Sequence, residues 1–312
     1  MKTKHDMRAI LGEVFFKEEI RCDYLITETM KKCWAIQMDL YFVFAEICRK
    51  HNLRFFLMFG GLIGAIRHKG FIPWDDDLDV AMPREDYEEF IRIAPDELVY
   101  PYFLRTPFTD PNCLYPVIDL VNSETTFIPK LFRRKGFNMG VPIDIFPIDY
   151  CDPSRVEEER EQILTYYLHC TNFLKRGCKE LDERQKRDLV TYYTEDPYLS
   201  FRKLHAIGAN PDYQGSDYMY VCNGIINKVT KLVWPSSCFK KSISVPFETF
   251  EVDVPVGYDT ILKTQYGDYM SYPPVEERGA KNSQIFFDPN RPYSYYTAMD
   301  DDELETVLGI KS

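Results

Sequence analysis

Residues 59–82 read FGGLIGAIRHKGFIPWDDDLDVAM, and how this stretch folds decides the architecture around it. The apolar, aromatic run Leu53 to Phe59 leading into it has the character of a buried strand. Gly60-Gly61 breaks that run, and Leu62 to His68 resumes helical spacing. Gly70 and Pro73 then end the helix and set up a strand expected over Asp76 to Ala81. Side chains two apart on a strand share a face, with Cα atoms roughly 7 Å apart. Asp77 and Asp79 therefore converge, and Asp75 extends the row. Leu78 and Val80 face the other way, into the core, which fixes the register. Asp76 shares that opposite face and reads as a turn or hydrogen-bonding residue. Carboxylates packed so closely repel, so the row persists mainly where a cation neutralises it. Their hard oxygens suit Mg²⁺ or Mn²⁺ rather than zinc.

The glycines have a complementary reading. Gly60 and Gly61 open a short helix whose free N–H groups and dipole attract anions. Arg67, His68 and Lys69, at its far end, are placed to close over a diphosphate, although His68 also reads as a satisfied helix-end histidine. Neutralised charge, a phosphate cradle and an oriented nucleophile are the requirements of phosphoryl transfer. A further carboxylate, Asp144, interrupts the apolar strand Val141 to Phe146. Burying it unpaired is costly, so it binds the same metal, acts as a base toward an acceptor hydroxyl, or caps a local turn. Asp149, at the strand exit, reads as structural.

Outward from these motifs, residues 33–51 place Leu40, Tyr41, Phe44, Ile47 and Cys48 on one helical face. Pro83 starts a helix over Arg84 to Ala94. Strands are expected around 115–121, 125–128 and 218–223. Residues 154–207 are charged and helix-forming, with Ile163, Tyr166, Tyr167 and Cys170 on one face. Tyr258 to Tyr266 reads as a helix closed by Gly267, and the tail from 284 as loosely attached. The expected class is α+β: a mixed sheet core flanked by helices with a helical second part. A composition shift at Asp152-Pro153 divides the chain into a core over 1–152 and a mainly helical region over 153–312, whose C-terminal elements pack back on the core.

Composition narrows the function. A formal net charge of −11 argues against a nucleic-acid backbone as main partner, although the basic clusters Arg67-His68-Lys69 and Arg133-Arg134-Lys135 are suited to a nucleotide's phosphates, the second also reading as solvated surface charge. The nine cysteines are scattered, without zinc spacing, and fit a reducing compartment with structural thiols such as Cys33 and Cys48. No apolar run reaches membrane-spanning length. The expected location is cytoplasmic, including the inner face of the membrane.

These residues carry a family resemblance. Phe59 to Phe90, then Gly140 to Asp149 (GVPIDIFPID), Val245-Pro246-Phe247-Glu248, Tyr266 to Met270 and Pro273-Pro274 resemble, in order, the signatures of the LicD family, to which fukutin-related proteins are distantly similar. The resemblance implies a nucleotidyltransferase-like fold and Mg²⁺- or Mn²⁺-dependent transfer of a phosphorylated alcohol, such as phosphocholine. The donor would be a CDP-alcohol and the acceptor a hydroxyl of a cell-surface glycan or glycolipid. It also implies metal binding by Asp75, Asp77, Asp79 and Asp144, and a phosphate turn at Gly60 and Gly61. Three positions depart from the pattern. Leu62 stands where a Thr or Ser is usual, Asp119 and Val121 where Lys and Arg often stand, and Arg278-Gly279 where histidines often follow. Two alternatives are a nucleotidyltransferase that leaves a nucleoside monophosphate on its acceptor, and a non-catalytic glycan-binding protein of the same fold.

Overall fold

The computed structural model describes residues 3–113, 115–129, 136–174, 197–221, 232–279 and 285–309. The basic cluster at 133–135 lies outside them. A short helix, α1 (Met7–Leu11), and a hairpin of β1 (Glu19–Arg21) and β2 (Tyr24–Ile26) precede the long α2 (Glu28–Lys50). Thr27 caps α2 by accepting from Met30 N–H at 3.2 Å. Most of this helix is buried all round, from Cys33 to Cys48, so it threads the core rather than lying on it.

After α2 come β3 (Phe56–Met58), α3 (Phe59–Ile63) continuing as a π-helical turn to His68, β4 (Asp79–Pro83) and α4 (Arg84–Glu97). Then follow β5 (Tyr102–Arg105), β6 (Ile118–Asn122), β7 (Thr126–Pro129) and β8 (Val141–Cys151). These strands form a mixed sheet. β4 runs parallel to β8 and antiparallel to β3, while β6 runs antiparallel to β8 and to β5. The row Ile118, Ile145, Val80 and Leu57, register partners across four strands, is fully buried. Burial on both faces explains why strand sequences such as Ile118 to Val121 do not alternate simply. The α+β class expected from the sequence is the one observed.

Beyond β8, α5 (Val156–Leu174) and α6 (Pro197–Gly208) pack on each other. β9 (Tyr218–Tyr220) pairs with the end of β8, and β10 (Val233–Pro235) pairs with β9. The hairpin β11 (Ser242–Phe247) and β12 (Phe250–Pro255) packs against β3, and α7 (Tyr258–Tyr266) ends at Gly267, as its sequence indicates. β13 (Ile285–Asp288) pairs with β7, and α8 (Tyr293–Thr297) and α9 (Asp301–Val307) follow. The tail is not loosely attached. Tyr296, Leu304 and Leu308 are buried in a second cluster with Cys113, Ile128, Phe137 and Met139. Its acidic run ends in a helix because Asp300 and Glu303 form a capping box.

One polar knot fixes α4 and α6 on the sheet. Arg84 donates to both oxygens of Asp149, at 2.6 and 2.9 Å, and its remaining arm reaches His205 Nδ1 at 3.1 Å. Asp149 is buried, so losing Arg84 would strand a charge at about 3–5 kcal/mol. His205 lies between Tyr87 and Phe201 and points Nε2 at Pro116 O. Burial, then the Arg84 charge, pushes its pKa down to about 3. The unfolded chain thus binds a proton that the folded chain refuses, between the ordinary histidine value near 6.5 and about 3. Stability contributed by neutral His205 is present above about pH 6.5 and is lost as pH falls through that window. In urea titrations from pH 7 to pH 4, His205→Gln is expected to lose stability less steeply with falling pH than the wild-type chain.

Candidate active site

The carboxylate loop is built from both sides. Strand β4 begins at Asp79, not Asp76, and Asp75 to Leu78 lie outside the sheet. The reason is visible in the backbone bonding. Trp34 Nε1 donates to Asp75 O at 2.9 Å and Gln37 Nε2 to Asp76 O at 2.7 Å. Helix α2 thus takes carbonyls that a strand would have offered to a neighbour, and three consecutive Asp residues have poor strand propensity. Trp34 is held in turn by a parallel stack on Phe71, 4.6 Å between ring centroids.

This corrects the two-residue alternation expected for the whole acidic run. Asp75, Asp76 and Asp77 each present a ligand atom within 4.8 Å of the others, so Asp76 joins the group instead of facing away. Leu78 and Val80 are buried, as expected. Gly60 is required where it stands: a Cβ there would overlap Asp75 Oδ2 and approach Asp77 Oδ1 to 3.9 Å. Gly61 instead faces Leu57, whose Cδ1 would lie 2.9 Å from an added Cβ. Leu62 is fully buried and fills core space.

A second set of carboxylates lies across the sheet. Asp79 on β4 is the register partner of Asp144 on β8, and Asp144 is the partner of Asp119 on β6. Register partners point to one face, with strands roughly 4.8 Å apart. Arg105 on β5 ends the row opposite Asp119, with Nε and Nη2 each 2.7 Å from Asp119 Oδ2 and Nη1 on Asn138 O. Asp119 Oδ1 is buried, and its carboxyl lies close to that of Asp144. Burial first, then the charges of Asp119, Asp79 and Asp77, hold the Asp144 pKa well above the usual carboxylate range.

Asp119 and the tyrosines around the row are the residues that sequence reasoning missed. Its signal was the same as that of Asp144, an acid inside an apolar run. Tyr266, at the end of α7, has its phenol pKa raised by burial and then by Asp79, Asp75 and Asp77. Tyr115 and Tyr167 share a hydrogen bond, and burial together with Asp144 raises both.

The basic end of the glycine helix is largely engaged with protein. Arg67 donates to the carbonyls of Tyr269 and Ser271 at 2.6 and 2.9 Å and through Nε to His68 Nε2. His68 stacks on Tyr272, and burial, then Arg67 and Arg21, lowers its pKa to about 4, so it is neutral near pH 7. Lys69 is exposed, with its carbonyl accepting from Glu248 N–H at 2.7 Å. Glu248 makes a forked pair with Arg21, at 2.8 and 3.1 Å, and accepts from Phe71 N–H. The Val245–Glu248 segment therefore clamps the turn that delivers the carboxylate loop.

Asp75, Asp77, Asp79 and Asp144 fit a hard divalent cation. They offer oxygen donors only, Asp75 and Asp77 on the loop beside Asp76, and Asp79 and Asp144 on adjacent strands. The LicD/FKTN/FKRP nucleotidyltransferase domain model matches residues 52–104, spanning the glycine pair, the carboxylate loop and α4. The chain is 25% identical over 260 residues to "Lipopolysaccharide cholinephosphotransferase LicD" of Haemophilus influenzae, covering 80% of this chain and 94% of that protein. Uncharacterized proteins of Rickettsia typhi and Rickettsia prowazekii are 44% and 42% identical over 50 residues, 16% of this chain in each case and 16% and 19% of those proteins.

The two glycines separate site geometry from stability. Gly60→Ala pushes only the mobile end of Asp75, so its urea midpoint should change little, while Mn²⁺ affinity, followed by electron paramagnetic resonance, should fall at least roughly tenfold. Gly61→Ala crowds Leu57 in the core and should cost about 1–3 kcal/mol of stability while leaving Mn²⁺ affinity near wild type. Equal Mn²⁺ affinity in Gly60→Ala and the wild type would contradict the assignment of Asp75 to the metal.

Proposed function

We propose that this chain, a member of the LicD family, catalyses metal-dependent transfer of a phosphorylated alcohol, such as phosphocholine, from a CDP-linked donor to a hydroxyl of a cell-surface glycan or glycolipid. The observation that carries this reading is the convergence of acids from separate segments, Asp75 to Asp77 on the loop and Asp79 and Asp144 on adjacent strands. A binding protein gains nothing from such crowding, whereas phosphoryl transfer needs it.

Asp75, Asp77, Asp79 and Asp144 would hold Mg²⁺ or Mn²⁺, which when bound neutralises charge on the transferring phosphoryl group. Gly60 lets the Asp75 carboxylate lie against the first turn of α3, and the phosphate of the donor would bind through the metal that this carboxylate helps to hold. In the transfer, a bond forms between the acceptor oxygen and the phosphorus bearing the alcohol, and the bond from that phosphorus to the CMP oxygen breaks. The acceptor hydroxyl loses its proton, and CMP leaves with the electron pair. Asp144 is the group we assign to receive that proton. It lies in the middle of the row, where a bound cation would offset the neighbouring charges and leave it ionised to accept the proton. Tyr266, whose phenol is influenced by the charges of Asp79, Asp75 and Asp77, lies near this group.

We assign residues 153–312 to the acceptor side, because α5 brings Tyr167 to the Tyr115 pair beside Asp144. Among the described residues no helix is long and apolar enough to cross a membrane. Among the described residues, Cys33, Cys48, Cys113, Cys151, Cys170 and Cys238 are buried and not disulfide-bonded, in keeping with a reducing setting for the reaction.

Incubation of the chain with Mg²⁺, a panel of CDP-alcohols and a glycan acceptor should release CMP and add the mass of the phosphorylated alcohol to the acceptor. Asp77→Ala and Asp79→Ala should each lower CMP release by at least about a thousandfold, because they remove charge stabilisation made only in the transition state. Both should keep wild-type circular dichroism. An acceptor that retains nucleoside would indicate nucleotidyl transfer instead, and undiminished turnover by both variants would falsify the site.

A further inference from the structure

Two arginines beside the carboxylate loop carry charge that no carboxylate of a described residue answers. The segment 267–279, after α7, lies across the β1–β2 turn and the far end of the glycine helix. Arg67 gives Nη1 to the carbonyls of Tyr269 and Ser271 and Nε to His68. Arg278 gives Nε to Pro273 O at 3.0 Å and Nη1 to Cys22 O at 2.9 Å. All these acceptors are neutral, and among the described residues the Nη2 of each guanidinium has no protein acceptor. Both guanidiniums lie over the exposed ring of Tyr272, 5.1 and 5.7 Å from its centroid, and Arg278 also covers Trp74 at 4.7 Å. Burial, and with it the charge of Arg278, lowers the Arg67 pKa. Acids outnumber Lys and Arg by 49 to 38 in this chain, so two neighbouring arginines without an acid are a selective omission.

We propose that Arg67 and Arg278 together form a binding site for a phosphoanion. Naming the donor's diphosphate as that anion rests on the transfer reaction proposed above. Four ligand classes can be set against these groups. A cation is repelled by both guanidiniums, and a neutral sugar would leave both charges unanswered. A carboxylate has two oxygens in one plane and matches a single guanidinium fork. A phosphoanion carries more charge and has oxygens outside any one plane, so it can accept from the Nη2 of both arginines at once. Stacking on Tyr272 and Trp74 already fixes the guanidinium planes, so little side-chain freedom remains to be lost on binding. His68 is neutral and Lys69 is exposed, so Arg67 is the contributor from the end of the glycine helix, and the second charge arrives from the segment after α7. Through Trp74 the pair adjoins Asp75, one of the residues assigned to the cation that the same donor would meet.

Trp74 supplies the assay. The other two tryptophans, Trp34 and Trp234, are fully buried, so quenching of tryptophan fluorescence by a dissolved ion reports Trp74. The measurement is made in EDTA, so that the carboxylates cannot hold an anion through a divalent cation, and neutral acrylamide corrects for any change in exposure of Trp74. Iodide should quench the wild type more than caesium does, and inorganic pyrophosphate should protect Trp74 from iodide. Arg278→Gln should lower iodide quenching at least about twofold and weaken pyrophosphate protection roughly tenfold. Arg278→Lys, which keeps the charge, should restore iodide quenching and part of the protection. No protection in the wild type, full protection in Arg278→Gln, or equal losses in the Lys and Gln variants would each overturn the proposal. Displacement of pyrophosphate by CDP would identify the anion as the donor's diphosphate, and pyrophosphate held alongside saturating CDP would identify a separate phosphate; both uphold the site. Absence of CMP release from every CDP-alcohol would instead reject the transfer reaction, and the quenching result would still decide the arginine pair.

Discussion

Mutual repulsion among carboxylates is the constraint on which the rest of this structure turns. Two unit charges about 4 Å apart repel by about 1 kcal/mol in water and about 4 kcal/mol in a typical protein environment. A hydrogen bond returns a net 0.5–1.5 kcal/mol or so. The bonds from Trp34 and Gln37 to the loop carbonyls therefore cannot by themselves offset the crowding of Asp75, Asp76 and Asp77. What holds the loop is the burial of α2, which makes these two donors immovable. Arg105 offsets charge at the far end of the row, on Asp119, while burial and the neighbouring carboxylates hold the Asp144 pKa up.

The same constraint explains the residues between the motifs. Gly60 exists because Asp75 lies against the first turn of α3, and Gly70 because Glu248 lies against the following turn, where a Cβ would overlap its Oε1. Glu248 itself sits at φ 53°, a left-handed conformation unusual for a long side chain, and the fork from Arg21 together with Phe71 N–H repays that cost. A clamp reaching from β1 to the β11–β12 turn thus fixes the entry to the carboxylate loop. Precision at the site is supplied from distant sequence, which is the usual condition for preorganised electrostatics.

Much of this was legible in the sequence, and the exceptions have physical causes. Asp144 announced itself because an acid between Ile143 and Ile145 is costly without a partner. Asp119, between Ile118 and Leu120, carried the same signal; its significance depends on strand register, which local sequence does not state. The start of β4 was misplaced because period-two alternation cannot show that α2 has claimed the carbonyls of Asp75 and Asp76. The helix Tyr258–Tyr266 was legible because its stop signal, Gly267, is local. The attachment of the tail was not, because it depends on pairing between β13 and β7, more than 150 residues apart.

The composition shift at Asp152-Pro153 marks a change of secondary structure more than a change of core. β8 runs to Cys151, and its last residues pair with β9 from the other side of that shift. Arg84 at the start of α4 is joined to Asp149 of β8 and to His205 of α6, so helices from both halves share one buried charge pair. That arrangement couples the two halves mechanically around β8, the strand that carries Asp144. Any displacement of α5 and α6 would be felt at the Tyr115–Tyr167 bond beside Asp144 before it reached the loop carboxylates, which answer to α2. The acids of the loop and the acid of the strand are thus held by different parts of the chain. An acceptor bound against the helices would act on Asp144 while leaving Asp75 and Asp77 in place.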